Sequence, residues 1–408
     1  MDDAVIVAAT RSPIGRAYKG ALARERAEDV TAAVIAAALA QVPALAPDEL
    51  DDLILGCGLP GGFQGNNLAR VVAVLMGHDT LPGTTVTRYC ASSLQAARMA
   101  FHAIRAGEGR AFVAAGVEVV SSQRVISSDA GEGWDFRHPA FRDAADRSTL
   151  AAEGGAPTWA DPRAEGRLPD VYLGMGQTAE NVARTWGVSR QEQDEFAARS
   201  QRRARGAEER GRWAREITPY VTPAGTTVTR DDSPRPGTTV EGLAGLAPVF
   251  RPDGTVTAGN SCPLNDGAAA LIVMETERAR ALGLTPLARI VSTGVSALSP
   301  EIMGMGPVEA SRRALRNGRL AAGDIDLWEV NEAFAAQVIA VMRELDLDDG
   351  NVNVDGGAIA IGHPFGMTGA RMIVSLLNSL RERDLTTGLV SMCVAGGQGM
   401  ALTLERLS

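Results

Sequence analysis

Cysteine is scarce in this chain: Cys57, Cys90, Cys262 and Cys393 are the only four among 408 residues, spaced 33, 172 and 131 positions apart. No CxxC or CxxH pair occurs, which argues against a structural zinc site. Separations this wide also do not make the disulfide framework on which small secreted domains depend. Histidine is equally rare, with four copies, and a single lysine, Lys19, stands against 39 arginines, a bias of composition rather than a functional signal. A basic surplus is missing as well. Forty basic against 49 acidic residues leave a net charge of −9, poor footing for neutralising phosphates, so nucleic acid is not an expected partner. No apolar run approaches the roughly 18 residues of a membrane helix, the best candidate being TAAVIAAALAQV. The opening MDDAVIVAATRSP carries two aspartates where a secretory leader would be basic. A cytoplasmic protein without membrane attachment is expected.

Hydrophobic residues at 45% and charged residues at 22% describe a globular chain with a substantial core, long enough for about two to three domains. AVIVAATR, LDDLILGCG, TTVTRYC and GRAFVAAGVEVV read as strands. The helical stretches from Glu28, over NNLARVVAVLMG and over SSLQAARMAFHAIRAGE lie between them. Strands separated by helices of this length pair in parallel and define an α/β class. From Ser121 to Cys262 turn residues, Trp, Pro and Arg accumulate around two helices, YLGMGQTAENVARTWG and SRQEQDEFAARSQRRARGAEERG. Between Arg137 and Arg251, 17 arginines and 16 acidic residues give +1 (17 − 16), the least acidic part of the chain. That surplus suits either an anionic ligand or a salt-bridged, solvated helical surface. Strand and helix then alternate again to the end. TVTRYCASSLQAARMAFHAI and NVDGGAIAIGHPFGMTGARMIVSLLNSL echo each other, each helix carrying Ala-Arg-Met early, which suggests a duplicated α/β domain with the irregular segment inserted in the first copy.

Four positions could carry chemistry. Cys90 lies where an extended stretch meets a helix, among small residues, and the partial positive charge of a helix N-terminus favours a thiolate. A buried filler cysteine is the alternative. His363 sits in GHPFGMTGAR, a glycine-rich turn that lets a ligand approach closely. It is an acid–base or oxyanion candidate, or else a turn histidine bonded to backbone. Cys393 ends a strand before Ala395, Gly396 and Gly397 in CVAGGQG. With a tuned pKa it could donate and accept a proton; otherwise it fills core. Asn331 opens NEAFAAQ at a strand-to-helix junction, where it either caps the helix or holds a water against a developing oxyanion.

Taken together, TRYCASSLQAARMA, TAGNSCPLNDGAAA, NEAFAAQ, GGAIAIGHPFGMTGAR and CVAGGQG resemble the thiolase family of acetyl-CoA acyltransferases, in order and along nearly the whole chain. The resemblance implies the thiolase fold: two duplicated α/β domains forming a layered α-β-α-β-α core, with an inserted loop domain. Residues 1–120 plus 263–283 would form the N-terminal domain, 121–262 the substrate- and CoA-binding loop domain, and 284–408 the C-terminal domain. It implies CoA-dependent thiolysis of a 3-oxoacyl-CoA by a ping-pong route, reversible as a Claisen condensation. Cys90 would be the acylated nucleophile and Cys393 the second thiol that moves protons. His363 would activate Cys90 and help hold the thioester oxyanion, with Asn331 positioning a water there. The N–H groups of Cys90 and Ala395 would form a second hole. Met175 and Phe334 align with the wall of the acyl and pantetheine tunnel, and Cys262 and Leu264 with the pantetheine-contact loop. No metal and no bound cofactor are implied, since coenzyme A is a substrate. Acyl-CoA thioesters are the expected partners, and the family forms homodimers or homotetramers.

Three positions depart from the common family pattern: Ala395 replaces glycine, Asp355 replaces asparagine, and Tyr89 precedes the nucleophile. Altered substrate shape rather than lost activity is the expected consequence. A β-ketoacyl synthase would carry histidine at position 393, and a non-catalytic acyl-CoA or sterol binder would have lost Cys90, His363 or Cys393. A cysteine hydrolase using Cys90 and His363 would release free acid.

Overall fold

The structure, a computed structural model, describes residues 3–122, 137–155 and 157–408. The first half contributes β1 (Ala4–Arg11), α1 (Ala27–Ala40), β2 (Asp52–Cys57), α2 (Leu68–Leu75), β3 (Gly83–Val86), α3 (Ser92–Ala106) and β4 (Ala111–Val119). After α4 (Met175–Thr185) and α5 (Arg190–Glu209), β5 (Asn265–Glu275) completes it. The second half runs through β6 (Ala288–Ala297), α6 (Gly306–Gly318), β7 (Leu327–Val330), α7 (Ala335–Leu345), α8 (Thr368–Glu382), β8 (Thr387–Val394) and β9 (Gln398–Arg406).

These strands share one sheet in the order β7-β8-β9-β6-β1-β5-β4-β2-β3. In the first half, β1 pairs antiparallel with β5 and β5 antiparallel with β4, whereas β4 with β2 and β2 with β3 are parallel. The second half repeats the pattern. There β6–β9 and β9–β8 are antiparallel and β8–β7 parallel, and a single parallel bridge from Trp328 to Val352 holds the place equivalent to β3. The halves join where Val5 and Ile6 of β1 pair with Arg289 and Ala288 of β6. The duplication suggested by the Ala-Arg-Met echo is therefore written into the strand order.

The core is layered. Alternate side chains of β1 face opposite ways, Val5 and Val7 to one cluster and Ile6 to another, as an extended chain buried on both faces requires. On the outer face of the first half, Val34 and Ile35 of α1 pack on Leu53, Leu55, Val113 and Ile272. In the middle, Leu94, Ala97 and Ile104 of α3 and Met372, Ile373 and Leu376 of α8 fill the space between Leu271 and Val390. On the far face, Ala310 and Ala314 of α6 and Val338 and Val341 of α7 cover Leu389 and Ala401. This is an α-β-α-β-α sandwich. The two central helices nearly touch: a Cβ on Gly369 would lie 2.5 Å from the Leu94 nitrogen, and the Ala370 N–H donates to Ser93 Oγ at 2.8 Å.

Of the irregular segment, residues 123–136 and 156 lie outside the described residues. The rest is turns around α4 and α5, the latter started by a reciprocal box in which the Ser189 and Glu192 side chains each accept the other's backbone N–H. Many of its arginines are paired, among them Arg147 with Asp143, Arg190 with Asp194, and Arg205 with Glu209. The near-neutral balance is therefore largely spent in ion pairs. One buried set anchors the segment to the core. Arg11 binds Glu216 at 2.6 Å and Asp231 at 2.7 Å, Arg212 binds Glu216 at 2.7 Å, and Asp355 accepts from Arg210, Arg383 and Ser379 at 2.7–2.8 Å. Here the Asp355 departure finds its reason: the carboxylate answers arginines of α5's C-terminal end and the end of α8.

Burial alone would raise the carboxyl pKa values of Asp355 and Glu216. Hydrogen bonds from Arg383 and Ser379 outweigh it at Asp355, and the charges of Arg212 and Arg11 outweigh it at Glu216, so both lie below the ordinary range. Groups lowered in the folded state stabilise it above the unfolded pKa of about 4 and lose that contribution as pH falls through the folded value. The part of the urea midpoint owed to these two carboxylates should accordingly be constant from pH 8 to 5 and be lost below about pH 4. Asp355→Asn should lower it at pH 7 by the equivalent of about 2 kcal/mol, and by less at acid pH; equal losses at both would exclude this role.

Candidate active site

Cys90 is not at the end of a strand, as TTVTRYC suggests. β3 stops at Val86, and Cys90 is the middle residue of a 3₁₀ turn, Tyr89–Ala91, that runs directly into α3. Tyr89 is held in the left-handed region at φ 44°, a strained conformation for a bulky residue, costing about 1–3 kcal/mol. The turn is tied down. Ser92 Oγ accepts the Arg88 N–H at 2.9 Å and donates to the Tyr89 carbonyl at 2.6 Å, while the Arg88 guanidinium reaches Gln95 and Gln398. A recess of about 600 Å³ bounded by Thr87, Arg88, Tyr89 and Gln398 adjoins it, and Cys90 keeps partial exposure.

The helix N-terminus does not win at this sulfur. Burial, with the charge of Glu118 adding to it, pushes the Cys90 thiol up to about 12, although its own N–H and that of Ala395 are directed at it. The expected thiolate is a thiol at rest, and it needs a base. Glu118 was not singled out by the sequence, although a lone acid in the apolar strand AFVAAGVEVV is a signal. Its buried carboxylate accepts from the N–H groups of Gly58 and Gly366 at 2.8 and 2.9 Å and from Gln64 at 3.0 Å. It thereby holds the loop before α8 against the loop after β2.

His363 lies in that loop, buried. Its Nδ1 is 2.7 Å from Thr368 Oγ1, and the Thr368 hydroxyl donates to the Pro364 carbonyl at 2.7 Å. The hydroxyl oxygen therefore accepts from Nδ1–H, and this network assigns Nε2 the lone pair. Asn331 Nδ2 stands 3.3 Å from Nε2, and the His363 N–H donates to Asn265 Oδ1 at 2.9 Å. Burial, then the charge of Arg371, hold the imidazole down to about 3, so the ring is neutral, with its Nε2 lone pair towards Asn331. Thr368, five residues after His363 within the same motif, is the orienting partner that sequence reading passed over.

Asn331 does not cap a helix. α7 begins at Ala335 with Phe334 as its extended N-cap residue, and the Asn331 N–H instead continues the sheet by donating to the Ser391 carbonyl. Its Oδ1 is buried with no partner among the described residues, an acceptor suited to a water. Cys393, at the end of β8, is buried among Met303, Ala333 and Phe334, with Met175 and Phe250 against them. Burial first, and then the facing Cys90 and Cys262, raise its thiol well above the usual value. Cys262 donates its N–H to the Ala333 carbonyl at 3.1 Å, and burial followed by Cys90 raises its thiol too. Three thiols thus lie within electrostatic reach of one another. Met175 and Phe334 belong to the apolar wall beside them, with Phe334 edge-on to Phe250 at 6.3 Å. Leu264 stands apart: it is 48% exposed and its carbonyl accepts from Ala17. Among the described residues no cluster of three or more His, Cys, Asp or Glu could hold a metal ion.

Cys90 thus sits with two backbone N–H groups, its own and that of Ala395, directed at its sulfur. Two family models match the chain, one described as thiolase, N-terminal domain, over residues 4–277 and one as thiolase, C-terminal domain, over residues 284–406. The chain belongs to the thiolase family. An acetyl-CoA acetyltransferase of Pseudomonas aeruginosa is 44% identical to it, and a 3-ketoacyl-CoA thiolase of Aeromonas hydrophila 43%, each match covering 100% of both chains. The crystal structure of the Bacillus anthracis acetyl-CoA acetyltransferase matches with a TM-score of 0.84 at 39% identity, over 100% of this chain and 99% of that one. The enzyme is a thiolase-type acyltransferase, cleaving 3-oxoacyl-CoA with CoA or running the same chemistry backwards as a condensation.

Within the thiolase site the Ala395 departure is mild. The left-handed conformations of this turn fall on Gly396 and Gly397, at φ 75° and 77°, and Ala395 has no positive φ. A side chain there strains nothing and leaves the N–H in place. Because Cys90 is a thiol until a base takes its proton, iodoacetamide should alkylate it slowly at pH 7 and faster as pH rises towards 10. His363→Asn should slow the reaction at pH 7 by about tenfold, the range of general-base effects being 10²–10⁴ at full strength. Peptide mass spectrometry reads the site; a rate independent of His363 would remove it as the base.

Proposed function

We propose that Cys90 carries the acyl group, that His363 is its base, and that Cys393 moves the proton of the carbon–carbon step. The observation that supports this most directly is the neutral imidazole, its Nε2 lone pair fixed by Thr368, beside two raised thiols. In the thiolytic direction His363 takes the Cys90 proton, and the sulfur attacks the 3-keto carbon. The Cys90 and Ala395 N–H groups stabilise the oxyanion so formed. Breaking the C2–C3 bond leaves the enolate of acetyl-CoA or another short acyl-CoA, held by protonated His363 and a water on Asn331. Cys393 protonates C2 and becomes a thiolate. After the first product leaves, that thiolate takes the proton of incoming CoA, whose sulfur attacks the acyl group on Cys90. His363 then returns its proton to Cys90, and all three groups regain their starting state. Each oxyanion donor is worth about 3 kcal/mol in such reactions.

The segment 121–262 supplies part of the acyl and pantetheine path through Met175 and Cys262, with Phe334 beside Met175 in the same apolar cluster. Coenzyme A enters as a substrate, and the reaction needs no bound cofactor. A homo-oligomer, dimer or dimer of dimers, fits the edge strand β3 and the exposed Phe63, Val71, Val74 and Leu75 nearby. No helix among the described residues is long and apolar enough to cross a membrane, in keeping with a cytoplasmic place.

Incubation with a panel of 3-oxoacyl-CoAs followed by mass spectrometry tests the assignment. Cys90→Ser should lose thiolysis by a factor of 10³ or more, with no adduct at position 90. Cys393→Ala should still take an acyl group onto Cys90 from a simple acyl-CoA, yet cleave 3-oxoacyl-CoA at least 10²-fold more slowly. Normal cleavage by Cys393→Ala rejects the proton-transfer role, and release of free acid without CoA points to a hydrolase.

A further inference from the structure

Beneath the pair formed by Asn331 and His363 lies a second, charged pair that the reaction does not use. Glu329 and Asn331 are two residues apart on β7 and its extension, so their side chains leave the same face of the sheet. Thr368 and Arg371, three apart on α8, share one face of that helix. The upper level holds Asn331 Nδ2 3.3 Å from His363 Nε2, with Thr368 2.7 Å from Nδ1. The lower level holds Arg371 Nη1 3.7 Å from Glu329 Oε2.

Arg371 is 1% exposed and Glu329 3%. Among the described residues none of the three guanidinium nitrogens has a hydrogen-bond partner, and Glu329 is its one carboxylate within 4.0 Å. A buried charge so weakly answered keeps a field that neither water nor hydrogen bonds absorb, and at low dielectric it acts over many ångströms. Burial pushes Glu329 up to about 8, against the pull of Arg371, which leaves the guanidinium still less compensated at neutral pH.

We propose that Arg371 is a positioning residue whose buried charge, one helical turn below Thr368, keeps His363 uncharged in the resting enzyme, with Glu329 setting how much of that field reaches the ring. The inference rests on the reading of His363 as the base of Cys90 and deepens it. The same field makes the imidazolium, once formed, a stronger donor towards the thioester oxyanion. Glu118 of β4 holds the loop carrying His363 through the Gly366 N–H, and Glu332 after β7 acts on Arg371. Arg11 and Glu216 lie around Arg371. All stay in place in the variants below.

The test is the rate of Cys90 alkylation by iodoacetamide at pH 7 in the intact enzyme without substrates. Removing the positive charge in Arg371→Met lets the imidazole hold the Cys90 proton more readily, so alkylation should quicken about five- to tenfold. Glu329→Gln, compared with the parent at pH 9 where the parent's Glu329 carries its charge, strips Arg371 of its partner and should slow alkylation two- to threefold. Arg371→Lys, which keeps the charge, should stay within twofold of the parent. A packing role would not give opposite signs for the two neighbours. Unchanged or slower alkylation in Arg371→Met, with Arg371→Lys behaving alike, overturns the proposal. Should Arg371→Met not fold, unchanged or faster alkylation in Glu329→Gln overturns it alone. His363→Asn separates the two levels: if it leaves the parent rate untouched, the base assignment fails; if it slows the parent while the Arg371 and Glu329 variants do nothing, only this inference fails.

Discussion

Burial of two thiols and an imidazole in one cramped space governs this site. Water would leave a thiol near 8.5 and an imidazole near 6.5. Here Cys90 is driven up to about 12 and His363 down to about 3, because a low-dielectric surrounding penalises whichever form carries charge. Every group is therefore neutral at rest. Charge appears only as a pair, thiolate with imidazolium, and only where N–H donors and a substrate carbonyl can receive it. The arrangement protects the nucleophile from idle reaction with water or oxidants, since the thiolate is the reactive form.

The duplicated fold makes such a site possible. In each half a third crossover enters a helix that runs through the middle layer, α3 in one and α8 in the other. Each helix brings its preceding turn to the same end of the sandwich. Cys90 and His363 therefore come from equivalent places in two copies, and the small contact at Gly369 and Ser93 lets the two helices draw close. Cys393 and Asn331 arrive by a different route, at the ends of the adjacent parallel strands β8 and β7. Glu118 locks the arrangement by accepting N–H groups from a loop of each half.

Much of this was legible in the residues. The apolar runs bounded by turns marked most of the strands, and five short motifs marked the family and with it the fold. What stayed hidden depended on long-range placement. Cys90 read as the end of a strand because TTVTRYC is rich in β-formers, yet the chain must turn at Tyr89 to bring the sulfur under α3. Helix-terminus reasoning favoured a thiolate, but that local effect is worth about 1 kcal/mol and does not offset the desolvation of the sulfur. Asn331 read as a possible cap because Asn before an apolar helix usually is one; the sheet claims its N–H and shifts the helix start to Ala335. Leu264 followed from its nearness to Cys262 in the chain, but its side chain is left exposed at the surface.

Two of the three departures from the family pattern, Asp355 and Ala395, fall into different physical classes. Asp355 exchanges a neutral amide for a charge, and that change is answered outside the site by Arg210, Arg212 and Arg383, which bind the inserted segment to the end of α8. Its effect belongs to stability and to how firmly the wall carrying Met175 is held. Ala395 adds a single methyl at a donor whose N–H points to the reacting sulfur, where the backbone conformation suits any residue. Its effect belongs to the space beside the acyl carbon. A charge far from the sulfur and a methyl next to it are thus changes on separate levels, the first acting through the scaffold and the second through the shape left for the substrate.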